Sequence, residues 1–439
     1  MERNMTMLSI ELWGGTGNQM FQYALIRSLS HDLKENFSLN KFQYDLVNIL
    51  FKRQSHERYN LSHFNIQENF SQSINQLTIN FFLNIVFRNL NLKFRKKINS
   101  KWNIIQEEHI FNSFDSYNPN LKETIKNLKG DKFLIGNWMN EEYFRHNKYL
   151  IQEEFKIMTP PTKKNSDLIK EISSNNSIAL CVRRGDYTEP YNKAQIGVTT
   201  LNYFLNSVDL IVKKVDDPVF YIFSNDSEWV KENIKIGYPT VFITHNGVDK
   251  DYEDLRLMST CKHFIISNST FHWWGAWLSS NEGKTVIAPD PWLNTHANNS
   301  IVPNNWIKLK CDRSDLFRKS SNKIFEIDHD KILKIGKNEK LNLGSLNSFK
   351  ESYEKDCIVK IIIESSENGF LKIEHPNLDS IKMTNNDLIN SINIAFYKGS
   401  SERYLQLDPI FSLNDLTIYH NIEDTVNIRY LAIKLLDNS

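Results

Sequence analysis

The sequence lacks several things a functional reading would otherwise have to consider. Its four cysteines, Cys181, Cys261, Cys311 and Cys357, are widely dispersed and form no CxxC pair or Cys/His cluster. Reduced thiols of a cytoplasmic protein are the expectation. The opening residues MERNMTMLSIELWGG contain no apolar region of signal-peptide length, so export is not expected. No run reaches the roughly 18 uninterrupted apolar residues of a membrane span. Net charge is also missing: 53 Lys and Arg stand against 52 Asp and Glu. A global electrostatic partnership with nucleic acid is thereby excluded, and any anion site must be local. Tryptophan is absent from the last 133 residues, all nine lying between Trp13 and Trp306. Such unevenness implies more than one kind of domain, and 439 residues allow about three compact units.

What is present reads first as alternating elements. Met7 to Leu12 is strand-like, Gly14-Gly15-Thr16-Gly17 is too rich in glycine for a helix, and after Asn18 the apolar spacing of Met20, Phe21, Ala24, Leu25 and Leu29 fits one helix face. Short apolar runs then recur at Ser177–Val182, Val219–Phe223, Thr240–Ile243, His263–Ile266 and Thr285–Ala288, several of them separated by helix-length segments. A parallel sheet covered on both faces produces this pattern, so an α/β core is expected. Residues 69–106 carry no acidic side chain but hold Arg88, Lys93, Arg95, Lys96 and Lys97 among apolar residues. The plain reading is a helical hairpin inserted in its own domain. The sharper one is a basic amphipathic helix in peripheral contact with the cytoplasmic face of the inner membrane. Beyond about Ser314, Val359–Glu364, Phe370–Glu374, Ile392–Tyr397, Leu416–Tyr419 and Val426–Tyr430 read as strands between turns such as SSENG and KGSSE. They point to an all-β appendage, a small sandwich. The expected divisions are 1–159, 160–313 and 314–439.

Four constellations carry chemistry. In the first, Gly15, Gly17, Asn18 and Gln19 lie between strand and helix, where backbone approaches a ligand closely and a helix N-terminus offers N–H groups to an anion. A purely structural glycine turn competes with that reading. The motif lacks the GxGxxG spacing and the GK[ST] ending, so NAD and ATP are not supported. In the second, Arg183 and Arg184 end a strand, where an open α/β sheet binds its ligands and a guanidinium fork suits phosphate. Successive side chains on a strand point oppositely, so one should face the ligand while the other anchors locally. The third is Phe223-Ser224-Asn225-Asp226, in which Asp226 either accepts from a guanine edge or caps the following helix, with Ser224 beside it. The fourth is Ser267-Asn268-Ser269-Thr270 before an aromatic helix, a plausible diphosphate cradle made by Asn268, Ser269 and Thr270. Trp273, Trp274 and Trp277 read as core rather than as a ligand platform. Asp249-x-Asp251 and Asp328-x-Asp330 read as surface charges, and no required metal or other cofactor is expected.

Taken in order, GGTGNQMFQYA, RRGDY, FSND-EW, LMSTCKHFIISNSTFHWWGAWL and VIAPDPWL resemble the motifs of bacterial α-1,2-fucosyltransferases, glycosyltransferase family 11, over residues 8 to 310. The resemblance implies a GT-B architecture of two facing Rossmann-like domains. The first would serve the acceptor and the second the donor, GDP-L-fucose. It further implies inverting, metal-independent transfer of fucose to the 2-hydroxyl of a terminal β-galactoside, in O-antigen, capsule or similar glycan synthesis. By the same resemblance Arg183 contacts the phosphates and steadies the leaving group, while Arg184 supports the loop. An inverting transfer needs a base, for which Asp186 is the first candidate and Glu189 the second. The family motif reads His-x-Arg-Arg-Gly-Asp-Tyr, and Cys181 stands where that histidine would be. Two alternatives remain open: a transferase using another GDP-sugar, or a non-catalytic carbohydrate-binding protein.

Overall fold

A computed structural model of the chain describes residues 6–41, 44, 58–70, 103–107, 117–188, 192, 196–293 and 301–311, and in the C-terminal region the strands given below. The basic segment 71–102, Glu189, Asp328 and Asp330 lie outside the described residues.

The first unit is built from β1 (Met7–Glu11), α1 (Thr16–Leu33), β2 (Asn36–Asn40), β3 (Ile104–Gln106), α2 (Leu121–Asn127), β4 (Lys132–Ile135) and α3 (Lys148–Glu154). Its sheet is parallel, in the order β2-β1-β4-β3, with Ile10 paired to Leu39 on one side and Leu134 on the other. Leu8 and Ile10 are fully buried, as both-face covering of a parallel sheet requires. The helix begins two residues earlier than the glycine content suggests. Gly17 is helical, and its reason for being glycine appears only in the packing described below.

The second unit contains α4 (Lys163–Ser174), β5 (Asn176–Val182), α5 (Leu201–Ile211), β6 (Pro218–Ser224), α6 (Ser227–Asn233), β7 (Thr240–Ile243), α7 (Asp251–Thr260), β8 (His263–Ile266), α8 (Thr270–Leu278), β9 (Val286–Asp290) and β10 (Ile307–Lys310). All six strands run parallel in the order β10-β9-β8-β5-β6-β7. Alternation along β5 sends Ile178, Leu180 and Val182 into a core shared with α5 and α6. Ala179 and Cys181 enter another core, shared with α7 and α8. Helices thus cover both faces, and the two parallel sheets give the pair of α/β units expected of a GT-B architecture.

The two units share that second core. Phe21 of α1 lies 4.6 Å from the Trp273 ring and 4.9 Å from Trp274. Phe144 stacks on Trp274 at 5.5 Å, and Phe155 meets the same indole edge-on at 5.0 Å. Trp273 and Trp274 are fully buried and Trp277 nearly so. The expected tryptophan core is therefore the seam between the units. Removing an indole of this kind costs about 3–5 kcal/mol.

The C-terminal strands are β11 (Ile324–Glu326), β12 (Leu333–Ile335), β13 (Leu341–Asn342), β14 (Cys357–Ser365), β15 (Gly369–Glu374), β16 (Ser391–Phe396), β17 (Gly399–Leu407), β18 (Thr417–His420) and β19 (Val426–Leu435). They form two antiparallel sheets, β11-β19-β14-β17 with β12 also on β19, and β13-β18-β15-β16. Two such sheets are what a sandwich needs. KGSSE is not a turn: Gly399 to Glu402 pair with β14, and only residues 397 and 398 separate β16 from β17. Among the described residues no helix is long and apolar enough to cross a membrane.

Candidate active site

In the second sheet, β5 leads through α5 toward β6 on one side, while β8 leads through α8 toward β9 on the other. The neighbours β5 and β8 therefore flank the topological switch point, where open α/β sheets receive ligands at their carboxyl ends. The backbone N–H of Ser267 donates to the Cys181 carbonyl at 3.0 Å across this point. Arg183 and Arg184 follow β5 and separate as strand alternation demands. Arg184 turns toward α6: its Nε donates to Asp226 Oδ2 at 3.3 Å, and its guanidinium lies 4.0 Å from the Trp229 ring centre. Its backbone N–H donates to Asn225 Oδ1 at 2.9 Å. A Cβ on Gly185, whose φ is +29°, would come within 2.2 Å of Asn225 Nδ2. Only glycine fits this corner.

Asp226 is thus doubly committed. Its other oxygen accepts from Trp229 N–H at 3.1 Å as the N-cap of α6, and Ser224 Oγ accepts from the Asp226 N–H at 2.9 Å. Both serve the loop, and of the two readings of Asp226 the structure shows the cap. Arg183 goes the other way, toward α8. Its Nη2 lies 2.7 Å from Asp186 Oδ1 and its guanidinium 5.3 Å from the Tyr187 ring. Asp186, the first candidate for the base, is engaged with the guanidinium it accompanies. It aims Arg183.

The head of α8 stands over the same point. Asn268 Oδ1 accepts from Thr199 Oγ1 at 2.9 Å, and its Nδ2 donates to the carbonyls of Ile196 and Gly197 at 3.0 and 2.8 Å. Its buried amide pins the 196–199 segment, both of its N–H groups being committed there. Ser269 is the N-cap residue but makes no side-chain cap bond. Thr270 Oγ1 donates to Asn18 Oδ1 at 2.8 Å, across the seam. The sequence reading passed over His272, which is 6% exposed and bonded through Nδ1 to Ser267 Oγ at 2.8 Å. Burial, with Arg183 nearby, holds its imidazole down to about 3, so the ring is neutral.

The glycine turn of the first unit meets this helix head directly. A Cβ on Gly17 would lie 2.5 Å from the Phe271 nitrogen and 2.6 Å from the Thr270 carbonyl carbon, so its glycine is dictated by helix contact. Trp274 Nε1 donates to the Gly17 carbonyl at 3.0 Å. Gln19 is fully buried and spends its amide on the carbonyls of Gly14 and Arg58 and on the Asn60 N–H. Gly15 alone of this set faces open space. Thr16 donates from Oγ1 to Asp251 and accepts from Asn60 Nδ2. Asp251 is therefore a seam residue whose carboxyl is pushed up by burial, which corrects its reading as a surface charge. Asp249 is exposed and pairs with Arg58.

In the first sheet the carboxyl ends of β1 and β4 lie side by side. Trp13 Nε1 donates to the Gly136 carbonyl there at 3.1 Å. Beside it Glu107 accepts from the backbone N–H of Asn137 at 2.7 Å and of Trp138 at 3.1 Å. Burial outweighs these bonds and pushes its carboxyl up to about 7. Trp138 adopts φ +56°, and its buried indole N–H has no partner among the described residues. A left-handed backbone and an unsatisfied buried donor thus coincide at this sheet's carboxyl end.

Residues 7–310 match the model of glycosyl transferase family 11. The chain belongs to that family. It is 31% identical over 318 residues to the alpha-1,2-colitosyltransferase of Escherichia coli, covering 70% of this chain and 100% of that protein. It is 29% identical over 318 residues to the O-antigen biosynthesis glycosyltransferase WbnK of Escherichia coli, covering 68% and 99%. It is also similar to galactoside alpha-(1,2)-fucosyltransferase 2 of Sus scrofa, 23% identical over 225 residues, 44% of this chain and 66% of that one. Within this family-11 enzyme the structure brings Arg183, Asp186, Ser269 and Thr270 into one corner, with Asn18 reaching in from the first unit. Arg184, Ser224, Asp226, Asn268 and Gln19 support it from outside. His272 and Glu107 were legible only as residue types able to titrate near a strand end.

Proposed function

We propose that this family-11 glycosyltransferase moves L-fucose from GDP-L-fucose to the 2-hydroxyl of a terminal β-galactoside, with inversion, in the synthesis of a bacterial surface glycan. The observation that carries the donor half is Arg183 at the β5/β8 switch point, held by a single carboxylate beside the head of α8. In the reaction the acceptor O2 attacks C1, the bond from C1 to the β-phosphate oxygen breaks, and GDP departs with the electron pair. Arg183 and the α8 N-terminus neutralise the departing diphosphate, a role that needs no metal ion. The proton released from O2 must be taken up. With Asp186 committed to Arg183, we assign that role to Glu107, the carboxyl poised near neutrality at the end of the first sheet. The acceptor and linkage are supported by the similarity to the porcine galactoside alpha-(1,2)-fucosyltransferase 2, and the surface-glycan setting by that to WbnK, an O-antigen biosynthesis glycosyltransferase.

A second donor is favoured by the colitosyl relative, since colitose differs from L-fucose only in lacking the 3-hydroxyl. Incubating the protein with GDP-L-fucose or GDP-colitose and lactose or lacto-N-biose, and reading the linkage by NMR, separates the two. Neither transfer nor donor hydrolysis with any GDP-sugar would leave a carbohydrate-binding protein instead. Loss of activity in EDTA with recovery in Mn²⁺ or Mg²⁺ would overturn the metal-independent mechanism.

A further inference from the structure

The family motif carries an imidazole at the position of Cys181, and this chain cannot present any polar group from there. Cys181 is fully buried in β5, and its thiol lies 3.6 Å from Met258 Sδ on α7. Gly275 of α8 closes the same pocket: a Cβ there would come 3.0 Å from Met258 Cβ. Yet an imidazole does stand at this corner. His272 rises from α8 on the face of the sheet that Cys181 also faces, both belonging to the seam side, and Arg183 continues the alternation 179, 181, 183 toward that face. One residue ties the two positions together. Ser267 gives its backbone N–H to the Cys181 carbonyl and shares its hydroxyl with His272 Nδ1.

We propose that His272 donates from Nε2 to the diphosphate of the bound donor beside Arg183, supplying from α8 the imidazole that the family motif places on β5. Three observations converge on this assignment. Ser267 Oγ occupies Nδ1, and when that hydroxyl donates, the ring's own proton resides on Nε2. Among the described residues Nε2 has no partner, although the side chain is 6% exposed. A donor that no protein group satisfies, on a mostly buried ring at a ligand-binding corner, is open to an acceptor supplied by the ligand. Finally, the neutral ring adds a directed N–H without a second buried cation next to Arg183, so the two groups act on the same oxyanion without mutual repulsion. The inference rests on the donor reading given above and adds a contact to it.

The test is a calorimetric titration of GDP, and separately of guanosine, into the wild type, His272→Ala and His272→Gln, with the melting temperature of each. A hydrogen bond to a charged group predicts that His272→Ala weakens GDP about ten- to hundredfold and leaves guanosine unchanged. His272→Gln, whose amide can still donate, retains most of the GDP affinity. Equal weakening of GDP and guanosine, or unchanged GDP binding by His272→Ala, would overturn the inference while the donor reading survives. A wild type that fails to bind GDP would bring down both.

Discussion

Two corners of the molecule look alike in sequence and do different work. Each has a strand, a turn of small residues and a helix head: Gly14 to Gln19 leading into α1, and Ser267 to Thr270 leading into α8. In the first, Thr16, Asn18 and Gln19 are spent on Asp251, Thr270 and neighbouring backbone, and Gly17 lets the two helix heads touch. In the second, Arg183 has one carboxylate partner and His272 an open nitrogen. A glycine-rich turn is therefore not by itself an anion site. What decides is whether its polar groups already have partners, and here the helix α8 corner keeps the free ones.

The comparison breaks first at Arg183. Arg183→Ala is expected to lower kcat/KM by on the order of 10²- to 10³-fold with an unchanged melting temperature, the loss typical of one preorganised electrostatic donor. Turnover near normal at saturating donor would sink the role. Next is Glu107→Gln, expected to reduce kcat/KM by about 10²-fold. The base acts deprotonated, so wild-type activity should rise with pH through about 7, and the variant should lose that limb. Stability runs the opposite way. A carboxyl raised above its unfolded value favours the fold when protonated, so its contribution is full below the unfolded value near 4.5 and falls as pH climbs toward 7. The melting-temperature gap between Glu107→Gln and wild type should accordingly widen from pH 5 to pH 8.

Gly17→Ala sharpens the other half of the comparison. Its methyl would press on the backbone of Thr270 and Phe271, at a cost of about 1–3 kcal/mol, visible as a melting-temperature drop of several degrees. Gly15→Ala meets open space and should cost little. Between these two lies Asn18→Ala, which removes one acceptor across the seam and should destabilise by about 1 kcal/mol in urea titrations.

Much of this is legible in the sequence. Apolar runs located five of the six strands of the second sheet, missing β10, whose lysines break the run; strand alternation separated Arg183 from Arg184, and the Ser-Asn-Asp turn offered a cap at Asp226. These are local rules acting within a few residues. The seam was not legible, because Thr16 meets Asp251 and Asn18 meets Thr270 across more than 230 residues of chain. Asp251 looked like a surface charge for that reason. Glu107 and His272 escaped notice for a related one: their character comes from burial, which no spacing along the sequence encodes. KGSSE misled because its small polar residues suit a turn, while antiparallel pairing with β14 holds them in β17.

The most direct test of the central claim is the GDP affinity of Arg183→Ala set beside that of Gly17→Ala. The account expects Arg183→Ala to lose on the order of 10²-fold and folded Gly17→Ala to stay within about twofold of wild type. The reverse pattern, with GDP lost at the glycine turn and kept without Arg183, would contradict it.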